Sequence, residues 1–265
     1  QATRRALSQL PASSWVCSIS SGIDWFIEAV PPGVLVTGGQ GLRSRACAEW
    51  VLAVTLQLVR GLDAFGRHQR ARTWQPSCFG TLHGATVLLL GYGAIGQAVE
   101  ERLRPFGCEF LRVARRPRPG VHAGADLPGL IGEADVIVVA APLTDSTLHL
   151  VDQKFLAAMR RGALLVNVAR GPIVDTDALE EALRDGHIQA AIDVTDPEPL
   201  PPGHPLFSTP GLIITPHIAG VVPGFPESAC RFVVEQIVRR LSGVPPRNIE
   251  CADDKTLHSA GGTHG

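Results

Sequence analysis

Six short apolar segments punctuate the middle of the chain, at residues 86–90, 110–114, 136–140, 164–168, 189–193 and 212–215. Each is rich in valine, leucine or isoleucine and too short for a helix. Several are apolar at every position instead of alternating, as a parallel strand covered by helices on both faces requires. Between them the spacing changes to that of amphipathic helices. Residues 94–105 carry Ile95, Ala98, Val99 and Leu103 at helical intervals, and 152–159 and 177–183 follow the same rule. Asp177, three residues before Glu180, reads as a capping box that opens the last of these. The pattern is strand, helix, strand repeated, and it predicts an α/β fold with a doubly wound parallel sheet of six strands.

The flanks are patterned differently. Residues 15–19 and 34–36 are weak strands, and a long helix is predicted over 45–72. The first half of that helix, AEWVLAVTLQLV, is apolar on nearly every face, which implies burial against another domain or subunit. A further helix over 227–241 places Ala229, Phe232, Val233, Ile237 and Leu241 on one side. The expected organisation is a substrate domain from 1–74 and 222–249 around a dinucleotide-binding domain at 75–221. Residues 250–265 lack periodicity and read as a disordered tail.

Charge narrows the partner. Lys+Arg 24 against Asp+Glu 25 leaves a net charge of -1 in 265 residues, with no electrostatic footprint for nucleic acid or an anionic membrane. A small-molecule partner is expected. The six cysteines show no metal-ligand spacing and no disulfide framework, so no metal is expected and a reducing, cytoplasmic setting is the plain reading. The longest nearly apolar run, 47–59, is too short for a bilayer.

The run LLLGYGAIGQAV places Gly91, Gly93 and Gly96 after a strand and at the mouth of a helix, with Ala94 and Ile95 in its first turn. In a dinucleotide-binding turn the first glycine permits the bend, the second admits a pyrophosphate to the backbone and the third lets helix and strand pack closely. The next strand would end in a carboxylate if it held a free ribose 2′-hydroxyl. It ends instead in Ala114, 23 residues past Gly91, followed by Arg115 and Arg116. Arginine there suits a 2′-phosphate, so the reading favours NADPH over NADH.

After the fourth, fifth and sixth strands come NVARGPIVD, DVTDPEPL and TPHIAG. They put Arg170, Glu198 and His217 beyond the carboxyl ends of consecutive strands, where open α/β sheets bind ligands. Singly, each has an ordinary structural explanation: a surface arginine, a loop-shaping glutamate, a structural histidine. Together they suit hydride transfer to a 2-oxo acid. The arginine grips a carboxylate, the imidazolium protonates the developing alkoxide, and the glutamate orients the imidazole and favours its charged form.

The chain resembles the D-isomer-specific 2-hydroxyacid dehydrogenase family, which includes phosphoglycerate dehydrogenases and glyoxylate/hydroxypyruvate reductases. The likeness runs from about residue 12 to 249 and rests on SSGIDWF, AEWVLAVTLQLVRGL, LLLGYGAIG, APLTDSTLHLV, LLVNVARGPIVDTDALEEAL, AAIDVTDPEPL, HPLF and ITPHIAG, in that order. The resemblance implies a Rossmann-type sheet inserted in a smaller flavodoxin-like α/β substrate domain. It implies that Arg170 binds substrate carboxylate, that Glu198 pairs with His217, and that His217 is the acid and base. Ser21 and Gly22 are expected to meet substrate. Pro142, Val168, Ala169, Asp193 and Gly220 are expected to line an NADP or NAD cofactor. The helix from residue 45 is expected to mediate a homodimer.

Two departures stand out. The family's opening fifty or sixty residues have no counterpart before Gln1, so the substrate domain reads as incomplete and activity of this chain as unsettled. Val221 and Val222 stand where the family commonly has a small hydroxylated residue. Two alternatives to a reductase follow: a dinucleotide-sensing, corepressor-like binding protein, or an inactive dinucleotide-binding fragment.

Overall fold

The structure is a computed structural model that describes residues 2–251. The chain opens with α1 (Ala2–Leu7), β1 (Trp15–Cys17) and β2 (Leu35–Thr37), then α2 (Ser44–Val59) and α3 (Leu62–Arg70). There follow β3 (Thr86–Leu90), α4 (Ala94–Leu103), β4 (Glu109–Ala114), β5 (His122–Ala123), the single turn α5 (Leu127–Leu130) and β6 (Val136–Val139). The series continues with α6 (Gln153–Ala158), β7 (Leu164–Asn167), α7 (Thr176–Arg184), β8 (Gln189–Ile192) and β9 (Leu212–Ile214), and ends with α8 (Phe225–Leu241) and β10 (Ile249–Cys251).

By compactness the chain divides into two units. One ends at Ser44 and resumes at Val221; the other is Arg45–Gly220. The larger holds a sheet in the order β5-β4-β3-β6-β7-β8-β9, with every pair parallel. The order reverses between β3 and β6, and such a switch point opens a crevice at the carboxyl ends of the strands. Burial explains the continuous apolar runs. Leu88, Leu90, Ile137, Val139 and Leu165 face one core, while Val87, Leu89, Val136, Val138 and Val166 face the other. The second core also takes Ala48, Val51, Val54 and Leu58 from α2, which is why that helix falls within the larger unit. The smaller unit holds a three-stranded sheet, β1-β2-β10, with β1 parallel and β10 antiparallel to β2.

Four expectations are corrected. The large sheet has seven strands, not six, because β5 is only two residues long and too short to leave a pattern. The single helix over 45–72 is two, broken at Gly61, whose φ of 61° is left-handed. A Cβ there would lie 2.3 Å from the Phe79 ring, so bend and packing both exclude a side chain. Helix α7 is capped by Asp175, whose side chain accepts from the Ala178 amide at 3.0 Å, so Asp177 lies inside the first turn and opens no capping box. In the tail, Glu250 and Cys251 belong to a strand on β2; the remainder, 252–265, lies outside the described residues.

Candidate active site

The glycine turn follows β3 at the switch point. Gly91 has φ 104°, and a Cβ on it would lie 2.4 Å from the Ala141 nitrogen at the end of β6. A Cβ on Gly96 would lie 2.3 Å from the Gly91 carbonyl oxygen. Gly93, at the N-cap of α4, differs: no heavy atom lies within 4 Å of where its Cβ would be. The fold forbids a side chain at the first and third glycines, whereas the second faces open space at the positive end of a ten-residue helix. That open position, which a Cβ would fill, fits a dinucleotide pyrophosphate. Ala94 and Ile95 form the first turn of α4 beside it.

Arg115 and Arg116 are exposed just past β4, where Ala114 ends the strand. Neither is paired with a carboxylate among the described residues. A 2′-phosphate would meet two cations there.

The rim beyond β7, β8 and β9 carries Arg170, Glu198 and His217. The structure brings the last two together: His217 Nδ1 lies 2.6 Å from Glu198 Oε1. A carboxylate only accepts, so Nδ1–H is the donor and Nε2 remains for a reacting group. Both side chains are close to half exposed. Arg170 is half-buried in the turn after β7, where its Nη1 donates to the Ala169 carbonyl at 2.8 Å.

Two polar residues behind this rim went unread in the sequence, or were read differently. Asn167, only 1% exposed, ends β7; its Nδ2 donates to the Arg170 carbonyl and its Oδ1 accepts from the Ala169 amide. It fastens both sides of the turn that presents Arg170. The available signal was a polar residue closing the otherwise apolar run LLVN. Asp193, expected to line the cofactor, is 3% exposed, and its carboxylate gathers the turn after β9. It accepts from Thr215 Oγ1 at 2.5 Å and from the Ile218 and Ala219 amides at 2.8 Å each. The His217 amide donates to the Asp193 carbonyl at 2.7 Å. His217 itself has φ 56°, a conformation that a residue with a Cβ holds only when its surroundings insist.

The other expected residues fall as follows. Val168 and Ala169 are buried beneath the Arg170 turn, Gly220 is buried after the His217 turn, and Pro142 is exposed beyond β6 with its carbonyl accepting from Thr147 Oγ1. Ser21 and Gly22 lie in the smaller unit, where Ser21 Oγ donates to the Gly39 carbonyl and the Ser21 carbonyl accepts from Gln40.

A parallel sheet with a glycine turn at its switch point is the framework of a dinucleotide-dependent oxidoreductase. Comparison with known proteins gives the particular kind. The profile of the D-isomer specific 2-hydroxyacid dehydrogenase NAD binding domain matches residues 52–219. A glyoxylate reductase of Thermofilum pendens is 34% identical over 232 residues, 83% of this chain and 68% of that protein. A glyoxylate/hydroxypyruvate reductase B of Serratia proteamaculans is 32% identical over 265 residues, 95% of this chain and 81% of that protein. Among solved structures, a D-isomer specific 2-hydroxyacid dehydrogenase from Xanthobacter autotrophicus Py2, in complex with NADPH and MES, superposes with a TM-score of 0.81 at 34% identity, covering 90% of this chain and 78% of that one. The chain belongs to the D-isomer-specific 2-hydroxyacid dehydrogenase family. It is an NAD(P)-dependent oxidoreductase acting on CH–OH donors, and the corepressor-like alternative is not favoured.

Proposed function

We propose that the chain reduces a small 2-oxo acid, such as glyoxylate or hydroxypyruvate, to its D-2-hydroxy acid with NADPH. The observation that carries this reading is the His217 Nδ1–Glu198 Oε1 hydrogen bond of 2.6 Å, at the ends of β9 and β8, with Arg170 after the adjoining strand β7. When bound, the nicotinamide cofactor supplies the hydride. His217 Nε2 donates a proton to the substrate oxygen as negative charge develops there, and Glu198 holds the ring for that transfer. Arg170 binds the carboxylate with its planar fork. Gly91, Gly93, Ala94, Ile95 and Gly96 receive the pyrophosphate, and Arg115 and Arg116 receive the 2′-phosphate. Pro142, Val168, Ala169, Asp193 and Gly220 line the cofactor, with Ser21 and Gly22 supplying backbone contacts to substrate. The names of the relatives, glyoxylate and glyoxylate/hydroxypyruvate reductases, support the substrate class.

The proposal extends to a homodimer through α2 and the segment after α3. Trp74, in the segment after α3, is 98% exposed. An exposed indole of this kind is a feature that an interface would cover. No described helix is long and apolar enough to cross a membrane, and all six cysteines are free; a cytoplasmic location accords with both.

A panel of small 2-oxo acids assayed with NADPH and with NADH tests the reading. Oxidation of NADPH in the presence of glyoxylate or hydroxypyruvate is expected, with NADH slower. Equal rates with both cofactors would overturn the roles of Arg115 and Arg116, and absence of turnover on every acid would overturn the reductase reading. Gel filtration with light scattering checks the dimer, and a monomeric mass would reject it.

A further inference from the structure

The glycine turn carries a feature that its motif does not require. Tyr92, between the first two glycines, lies beneath two guanidinium groups: Arg112 Cζ is 5.6 Å and Arg118 Cζ 5.4 Å from its ring centroid. The two arginines differ in charge balance. Arg112 is bound on two nitrogens by the buried Glu100 carboxylate, at 2.6 Å each, and so brings little net charge to the ring. Arg118 has no carboxylate partner among the described residues; its Nη2 donates to the Tyr92 carbonyl at 2.9 Å. One guanidinium thus holds both the ring and the peptide of Tyr92.

Arg118 stands two residues beyond Arg116, in the loop that leads from β4 to β5. That loop is closed by a turn at Pro119–Gly120, with the Val121 amide donating to the Arg118 carbonyl at 2.8 Å. The glycine turn has an anchor of its own, because the Gly91 and Tyr92 amides both donate to the Val113 carbonyl. Among the described residues, 115–117 have no such anchor; Arg118 is the side chain that ties their loop to the glycine turn.

We propose that Arg118 is a positioning residue for cofactor choice, clamping the loop of Arg115 and Arg116 to Tyr92 so that the two arginines stand ready for a 2′-phosphate. The inference rests on the NADPH reading above. It concerns the 2′-phosphate alone: without Arg118 the glycine turn keeps its Val113 anchor, while the arginine loop is released and loses order that binding must then restore. Stacking of a guanidinium on an aromatic face and a charge-assisted bond to a carbonyl are together strong enough to hold a short loop.

The test is the dissociation constant of NADPH and of NADH, read from nicotinamide fluorescence, for the parent chain and for Arg118→Ala, Tyr92→Leu, Tyr92→Phe, Arg118→Ala with Tyr92→Leu, and Arg115→Ala with Arg116→Ala. Arg118→Ala is expected to weaken NADPH about tenfold, close to 1.4 kcal/mol, and NADH less than about twofold. Tyr92→Leu should reproduce part of that loss and Tyr92→Phe should restore it. The double variant at 92 and 118 should be no worse than Arg118→Ala, because both changes open the same clamp. Additive effects, or an unaffected Tyr92→Leu, would show that Arg118 acts without Tyr92 and overturn the clamp. Equal losses for NADPH and NADH would overturn it as well. A parent preference for NADPH that vanishes in Arg115→Ala with Arg116→Ala but survives Arg118→Ala defeats this proposal alone. A parent with no preference defeats the cofactor reading, and the clamp with it.

Discussion

Two turns at the carboxyl edge of the same sheet reach left-handed backbone by opposite routes. The turn after β3 reaches it by removing side chains: Gly91 adopts φ 104° at no steric cost, and Gly96 lets α4 close on the strand. The turn after β9 keeps its side chain, which the proposed proton transfer requires. His217 sits at φ 56° against its own Cβ and is held there by Asp193, which accepts from Thr215, Ile218 and Ala219 and receives the His217 amide on its carbonyl. A glycine turn carries its shape in its own sequence. A histidine turn borrows its shape from a residue some two dozen positions earlier. The first should tolerate changes around it and the second should fail when its support is removed.

Removing the proposed proton donor without disturbing the turn gives the largest expected effect. His217→Asn keeps a residue that accepts left-handed backbone, so melting should change little. Loss of a general acid should lower kcat by about 10²- to 10⁴-fold. A drop under about tenfold would reject the acid role. Next comes the support itself. Asp193→Asn is nearly isosteric, but one carboxylate oxygen becomes an NH₂ that faces a donor. That leaves a buried amide unsatisfied, at about 1–3 kcal/mol. We expect a lower melting temperature together with a lower kcat, since the ring of His217 is no longer held in place. An unchanged kcat in Asp193→Asn would mean that the turn needs no brace.

The glycine turn offers a sharper contrast within itself. Gly96→Ala places a methyl 2.3 Å from the Gly91 carbonyl oxygen, and overpacking of this kind costs about 1–3 kcal/mol. Gly93→Ala meets nothing within 4 Å. Its φ of -91° is open to any residue, so folding should be unimpaired or slightly favoured, by up to about 1 kcal/mol. Dinucleotide affinity should fall in Gly93→Ala all the same, because the methyl occupies the space left for pyrophosphate. Melting curves and fluorescence titration of both variants check the pair, and a Gly93→Ala chain that binds NADPH as the parent does would remove the pyrophosphate from that position.

Much of this was legible in the residue order. The apolar runs of β3, β6, β7 and β8 named the parallel sheet because strands buried on both faces have no polar positions to conceal them. The glycine spacing located the turn after β3, and the residues after the strand ends foretold the pairing of Glu198 with His217, which the 2.6 Å hydrogen bond shows. What escaped was set by distance in sequence. Nothing near Gly61 announced that Phe79 would occupy the space its side chain would need. Asp175 and Asp177 are both plausible caps, and only the observed bond to Ala178 chooses between them. Asn167 went unread and Asp193 was expected only to line the cofactor, yet each orders a turn through bonds to backbone, and backbone donors leave no mark in composition. Arg118 was invisible for the same reason, since its partner is a carbonyl 26 residues earlier.

The smallest effect concerns the other buried carboxylate, which completes the comparison. Glu100 is as buried as Asp193, at 3%, but binds guanidinium groups where Asp193 binds mostly backbone amides. Hydrogen bonding from Arg112 holds its carboxyl below the ordinary value of 4.5, against the opposing pull of burial and with help from Tyr92. A carboxyl depressed in the folded state adds stability that is fully present above its unfolded value and is lost as pH falls through the folded one. Glu100→Gln should therefore be less stable than the parent near neutrality, by about 1–3 kcal/mol for bonds to a charged group. The gap should close as pH drops below 4.5, where the parent too begins to lose the ion pair. Because a guanidinium can turn and find water where a backbone amide cannot, the loss should stay smaller than that of Asp193→Asn and should leave kcat alone. Melting temperatures of both variants between pH 3 and pH 7, on the scale where carboxylates titrate, decide it. A Glu100→Gln deficit that persists undiminished at acid pH would show that the ion pair is not its source.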